Sequence, residues 1–259
     1  VTATQRYFIE LSYNGSNYHG WQMQKNAIGV QEVLNGVLST VLRQPIEITG
    51  CGRTDTGVHA KQFFAHFDAG AQMADSVWFT KNESGLIRSL NSILADDIAV
   101  KRIFAVDNQA HARFNATLRS YEYHIHFKKD PFKKGYSWEL RDRPDTALMN
   151  EAALLLMEYT DFSCFSKSRT QVKTNNCKIM SAAWEELEQG IVFKISADRF
   201  LRNMVRAIVG TLLMVGRKEI KPGDIRQIIE GKNRGDAGTS VPACGLYLTE
   251  VKYPEITGV

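Results

Sequence analysis

The sequence predicts an α+β fold in two successive units, each with helices laid against sheet. Two observations carry that prediction. Runs alternating with period two are interleaved with runs whose apolar residues fall at helical spacing, in the order strand, helix, strand, strand, helix, strand up to Val106. A related grammar recurs downstream without any short-period repeat, and the boundary is expected near Gln109, giving units of 1–109 and 110–259.

In the first unit Arg6–Tyr13 alternates as a strand and ends in the turn Asn14-Gly15-Ser16-Asn17. Val30–Leu42 places Val30, Val33, Leu34, Val37, Leu38 and Val41 on one helical face, and Pro45 ends that element. Ile46–Thr49 is expected to be a strand entering a Gly- and Thr-rich loop, with Val58–Phe67 leaving it as another. Leu86–Leu94 reads as helix and Ile98–Val106 as strand.

In the second unit Thr117–Phe127 is a strand and Thr146–Tyr159 a helix with Leu148, Ala152, Leu155 and Leu156 inward. Ile179–Leu187 and Ile191–Ser196 form a hairpin around Gln189-Gly190. Phe200–Val215 reads as a long helix, Gly223–Glu230 as a shorter one and Leu246–Val251 as the closing strand, preceded by a flexible basic loop over 231–239.

With 259 residues, 44% of them hydrophobic and 23% charged, the chain has the composition of an ordinary globular protein. Its net charge of +4 permits a nucleic-acid partner without demanding one. No apolar run is long enough for a membrane span, and the N-terminal residues lack a signal-peptide core. Cys51, Cys164, Cys177 and Cys244 are scattered without a C-x-x-C pair, as expected of reduced thiols in a cytoplasmic protein.

Three places can carry chemistry. The first is Gly50-Cys51-Gly52-Arg53-Thr54-Asp55-Thr56-Gly57-Val58-His59, too rich in Gly and Thr for a helix interior. Gly50, Gly52 and Gly57 permit sharp bends and close approach of a ligand. Arg53 favours an ionised Asp55, and an accessible carboxylate on a tight loop suits a nucleophile better than a proton donor.

The second place is the helix expected over Phe200–Val215. Leu201, Met204, Val205, Ile208, Leu212 and Val215 form its apolar stripe, and Arg199, Arg202 and Arg206 recur on another face at i, i+3 and i+7. Beyond Arg206 that face turns apolar, so Arg206 needs an anionic partner, with Asp55 as the candidate. Arg199 and Arg202 read as a solvated stripe. The third place is Arg119-Ser120-Tyr121-Glu122-Tyr123, where alternation puts Tyr123, Ile125 and Phe127 in the core. Tyr121, at the entry of that row, presents a ring suited to stacking on a nucleobase. His111-Ala112-Arg113-Phe114 adds a cation and a ring upstream. His124 and His126 share a strand face, and structural roles are expected for them rather than metal binding.

These elements, in this order, make the chain resemble the TruA family of tRNA pseudouridine synthases over nearly its whole length. The resemblance runs through Tyr13-Asn14-Gly15-Ser16, Gly20-Trp21-Gln22, Val30-Gln31-Glu32, Gly52–His59, Leu90-Asn91, His111–Phe114, Arg119–Tyr123, Phe200–Arg206 and Gly245-Leu246-Tyr247-Leu248. Thr56 stands where family members usually have Ala, and Cys177-Lys178-Ile179 where many carry an Arg-x-Ile segment. The fold implied is two α/β subdomains with antiparallel or mixed sheets joined into one extended central sheet, helices on its outer face and a basic active-site cleft between them.

The activity implied is isomerisation of uridine to pseudouridine at positions 38, 39 and 40 of the tRNA anticodon stem-loop, without cofactor or metal, by a cytoplasmic homodimer with no membrane contact. Asp55 would be the nucleophile, attacking ribose C1′ or uracil C6. Arg206 would hold it ionised, and Tyr121 would stack on the flipped uracil and assist proton removal at C5. Arg53 would contact the RNA backbone or fill the vacated space, Leu246 would wall the pocket, and His59 and Arg113 would join in binding the substrate. Lys25, Arg88, Lys101, Lys128, Lys129, Lys133, Lys134, Arg169, Lys173, Lys232 and Arg234 are further candidates for phosphate contact, of which about a third are expected to matter. Asp55-Thr56-Gly57 also spells the D-T-G of aspartic proteases, but a cation beside it opposes the shared proton such sites require. The competing reading is a non-catalytic tRNA-binding protein of the same fold.

Overall fold

A computed structural model describes residues 4–70, 83–166 and 174–254. Arg169 and Lys173 lie outside these described residues. Among the described residues the fold is α+β, with helices and a mixed sheet of nine strands. The chain divides into two compact units, Val1–Thr117 with Thr249–Val259, and Leu118–Leu248.

In the first unit, strand β1 (Thr4–Tyr13) lies antiparallel between β3 (His59–Gly70) and β4 (Ile98–Val106), and the short β2 (Thr49–Gly50) pairs with β3. Helices α1 (Val30–Leu42) and α2 (Glu83–Ile93) also belong to it. Tyr7, Phe8, Ile9, Leu11, Phe63, Phe64 and Phe67 are buried from both sheet faces, so these strands lack the simple in–out alternation of a half-exposed sheet. Asn91 fixes α2 to β4 by exchanging two hydrogen bonds with the backbone of Val100, at 2.8 and 2.9 Å.

The strand expected over Ile46–Thr49 is only Thr49–Gly50. Side chains of α1 take the place of a ladder: Ser39 Oγ accepts from Ile46 N, Asn35 Oδ1 accepts from Ile48 N, and Gln31 Nε2 donates to Ile48 O. Backbone polar groups satisfied by side chains have no need of a neighbouring strand.

In the second unit, β8 (Gly190–Ala197) lies antiparallel between β5 (Leu118–His126) and β7 (Ile179–Leu187), with the short β6 (Trp138–Glu139) parallel to β5. Helix α3 (Thr146–Leu155) packs on β7 and on α4 (Met204–Gly216), and α5 (Asp224–Gly231) follows. Strand β9 (Leu246–Lys252) contributes Leu246–Leu248 to this unit and its remainder to the first. Asp145 caps α3, its carboxylate accepting from Leu148 N at 3.2 Å. The helix then tightens to a 3₁₀ turn at Leu156–Glu158, earlier than expected. Its inward face is Met149, Ala152, Ala153 and Leu156, while Leu148 and Leu155 are half-buried.

Helix α4 begins at Met204, four residues after the expected start. Asn203 adopts φ +67°, a left-handed conformation that no helix interior accommodates. Arg199 and Arg202 therefore precede the helix, and the three-arginine stripe expected on one helical face does not exist. The burial of α4 is as expected: Val205, Ile208, Val209, Gly210, Leu212, Leu213 and Val215 are all enclosed.

The loop over 231–239, expected to be flexible, is bonded into this helix. Gly238 N donates to Thr211 Oγ1 at 2.8 Å, and a Cβ on Gly210 would stand 1.9 Å from Thr239 O. No helix among the described residues is long and apolar enough to cross a membrane.

Candidate active site

The Asp55 loop connects β2 to β3 and is held by a segment more than thirty residues upstream. The amide of Trp21 donates to Thr54 O at 3.2 Å, and that of Gly57 donates to Tyr18 O at 3.3 Å. Thr54 is buried, and its hydroxyl meets the Tyr13 hydroxyl at 2.9 Å. A β-turn closes the loop, Val58 N donating to Asp55 O at 3.1 Å, with Gly57 at φ +79° in the position where a type II turn demands glycine.

Two glycines let the chains touch. A Cβ on Gly15 would fall 2.0 Å from Val58 O, and one on Gly20 (φ +86°) 2.4 Å from Thr54 O and 3.1 Å from the Asp55 carbonyl carbon. Gly50 is needed against the Trp21 indole, whereas the space over Gly52 is open. The register of β1 on β3 shifts between Leu11 and Tyr13, a bulge directly before this segment. Trp21 stacks on Phe63 with centroids 4.1 Å apart, and Gln31 ties Met23 N to Ile48 O, so the segment has its own rigid floor.

Within this clasp Asp55 is half-buried, and Arg53 and Thr56 are exposed. His59 is buried, its Nδ1 accepting from Gly15 N at 3.1 Å, so the clasp itself engages this ring. Tyr18 donates to Asp97 at 2.5 Å, and its burial and that carboxylate together push the phenol pKa up.

Arg113 is exposed beside the Phe114 ring, its guanidinium carbon 5.8 Å from the centroid. The turn carrying both is fixed by histidines: Ala112 N donates to His66 Nδ1 at 3.1 Å, and His111 Nδ1 accepts from Arg113 N at 3.1 Å and Phe114 N at 3.3 Å. Burial pushes the His66 pKa down to about 4, helped by the positive charge of Arg6 and by His111.

In the second unit, Tyr121 lies on β5 opposite Ile195 of β8, half-buried, with Phe200 edge-on at 5.1 Å. Arg206 sits in the first turn of α4. Its Nε donates to Val241 O at 2.6 Å, while Val241 N donates back to Arg206 O at 3.3 Å. A guanidinium anchored through Nε has a fixed orientation for its other nitrogens. Arg234 donates to Ala237 O, Gly238 O and Ser240 Oγ, and Asn203 Nδ2 donates to Ser240 Oγ at 2.5 Å, so the loop supporting Val241 is built from within.

Leu246 is buried at the start of β9, just after Gly245, where a Cβ would lie 2.7 Å from His124 O and 2.9 Å from the Tyr123 ring. Tyr123 is fully buried and donates its hydroxyl to Pro242 O at 2.8 Å.

Several basic candidates have local roles: Lys232 pairs with Asp161 at 2.8 Å, Lys133 with Asp130 at 3.8 Å, and Lys101 donates to Lys61 O at 2.6 Å. His124 meets Glu122 and His126 meets Ser137, each at 3.0 Å, and no group of three metal-ligating side chains exists among the described residues. The four cysteines are free, and burial pushes Cys164 and Cys177 up to about 12.

Comparison with known proteins places the chain in a family. A family profile described as tRNA pseudouridine synthase matches residues 152–254. The tRNA pseudouridine synthase A of Bacteroides fragilis is 50% identical over 254 residues, covering 98% of each chain. The chain belongs to the tRNA pseudouridine synthase A family. The enzyme of that name from Parabacteroides distasonis is 49% identical over 97% of each chain. That from Clostridium acetobutylicum is 35% identical over 95% of this chain and 98% of its own.

The upstream clasp on the Asp55 loop is the part of this candidate site that the sequence pattern does not show. Its traces in the sequence are Gly15, which reads as part of a turn, and Gly20, which enters only through the resemblance in Gly20-Trp21-Gln22.

Proposed function

We propose that the protein isomerises uridine to pseudouridine in tRNA, at positions 38, 39 and 40 of the anticodon stem-loop, as a homodimer in the cytoplasm. The observation that carries this reading is the clasped Asp55. Its carboxylate stands on a turn bonded through Thr54 and Gly57 to the 18–21 segment, so the backbone loses little freedom when substrate arrives.

Asp55 acts as the nucleophile on C1′ or C6, the C1′–N1 bond breaks, the base turns, and a C1′–C5 bond forms. The bond from Asp55 to C1′ or C6 breaks and frees the carboxylate, the C5 proton leaves with help from the Tyr121 hydroxyl, and N1 takes up a proton, so substrate and product are isomers and no co-reactant is consumed. The Tyr121 ring stacks on the extruded uracil. Arg206, oriented through Val241, aims the Asp55 carboxylate. Exposed Arg53 and Arg113 meet the RNA backbone, Leu246 walls the base, and His59 joins in binding the substrate through its hold on Gly15.

Asp55→Asn is the test. It is expected to bind tRNA transcript as the wild type does and to form no pseudouridine. Turnover by that variant at the wild-type rate rules out the assignment, and a wild-type protein that binds tRNA without forming pseudouridine identifies a binding module.

A further inference from the structure

Between β5 and β6 the chain makes an excursion that the reaction above leaves unused. Residues 128–134 hold four lysines (Lys128, Lys129, Lys133, Lys134) against one aspartate, Asp130. At the tip Phe132 is 91% exposed, and Tyr136 behind it is 50% exposed.

The tip is built, not loose. Phe132 N donates to Asp130 Oδ1 at 2.9 Å, Lys133 N to Asp130 O at 3.1 Å, and both Tyr136 N and Ser137 N to Lys133 O. Pro131 restricts the backbone just before the ring, and Gly135 at φ +82° turns the chain back. The base is pinned where Tyr247 donates to Tyr136 O at 2.6 Å and Ser137 Oγ meets His126 Nδ1 at 3.0 Å.

A single exposed apolar residue is ordinary. A phenyl ring held out on a hydrogen-bonded turn, with lysines on both sides, has a more specific match. Single-stranded nucleic acid offers flat bases to stack and phosphates to neutralise within one nucleotide's reach. Protein interfaces disfavour lysine at their cores, and one ring is a weak membrane anchor.

We propose that the 128–136 turn is a second RNA-contact element, in which Phe132 stacks on an unpaired base of tRNA while Lys128, Lys129 and Lys134 meet flanking phosphates. The proposal rests on tRNA being the substrate. It adds affinity and placement without touching the reacting uridine.

The test is equilibrium binding of unmodified tRNA transcript to the full-length protein, with steady-state pseudouridine formation alongside. Phe132→Ala is expected to weaken binding roughly 5- to 100-fold, the contribution of one stacked base, and to raise KM with kcat unchanged. Phe132→Trp is expected to bind as tightly as wild type or tighter. Replacing Lys128, Lys129 and Lys134 by Gln should lower the salt dependence of binding by about two counterions. Unchanged tRNA affinity in Phe132→Ala overturns the proposal. So does an unchanged affinity accompanied by loss of binding to phosphatidylserine vesicles or by a change of oligomeric state in sedimentation, which would assign the tip to a membrane or a second copy. Tight tRNA binding without pseudouridine formation sinks the catalytic reading and leaves the Phe132 ratio to decide this one; a wild-type protein with no tRNA affinity overturns both.

Discussion

The hydroxyls of Tyr13 and Thr54 meet at 2.9 Å in a buried bond that spans 41 residues of sequence. Thr54 immediately precedes Asp55, and its carbonyl is held from the same segment by Trp21 N. The position of Asp55 is therefore set by β1 and its following turn as much as by its own loop. Tyr13→Phe is expected to lower kcat about tenfold with little change in KM, because a small displacement of a nucleophile costs more than the bond itself. Stability should fall by only about 1 kcal/mol. Thr54→Ser keeps the hydroxyl and should restore most of the rate, while Thr54→Val should not; equal rates for the two would dismiss the positioning role.

Gly20 tests the same clasp from its backbone. Alanine there meets a positive φ and a carbonyl 2.4 Å away, so either the turn or the Asp55 loop must move. We expect Gly20→Ala to cost about 2–4 kcal/mol of stability and most of the activity. Gly36 is the control: it lies in α1 with nothing within 4 Å of a built Cβ. Gly36→Ala should raise stability by about 0.5–1 kcal/mol and leave turnover unchanged. Chemical denaturation of the three proteins reads both effects.

How much of this was legible beforehand follows from where the information lies. Val30–Leu42, Ile98–Val106 and Ile179–Leu187 match the sequence expectation to the residue because their periodicity and turn signals are local. The start of α4 differs from the sequence expectation because apolar spacing continues through Phe200 and Leu201, while the left-handed Asn203 that breaks the helix leaves the spacing intact. The loop over 231–239 looked flexible from its glycines, yet Gly238 is there to let it touch Gly210. Asp55, Tyr121 and Arg206 could be nominated from residue type and motif. The Tyr13–Thr54 and Gly20–Thr54 contacts could not, since nothing local relates residues so far apart.

His66 gives a pH signature. Its pKa falls to about 4 in the folded protein against an ordinary value near 6.5, so between these limits the unfolded chain binds the extra proton. Stability therefore rises with pH across that window and is lost as pH drops from about 6.5 to about 4, by up to about 3 kcal/mol from this one ring. His111, also shifted down by burial and by Arg6, acts in the same direction. Urea unfolding at pH 4.5, 5.5 and 6.5 should show a slope that flattens by about one proton in His66→Gln. An unchanged slope would falsify the assignment.

Arg206 and Asp55 supply the decisive coupling test. If Arg206 serves the reaction only through Asp55, removing both should cost no more than removing Asp55 alone. Asp55→Asn and Arg206→Met are each expected to cut single-turnover pseudouridine formation by about 10⁴-fold or more, and the double variant to match Asp55→Asn. Arg206→Met should also soften α4, since the Nε bond to Val241 O disappears. Arg206→Lys separates the two roles: it keeps the charge but lacks the planar fork that Val241 orients, so activity should fall about a hundredfold while tRNA affinity holds. Losses that simply add in the double variant would mean that Arg206 acts on the RNA and not on the nucleophile.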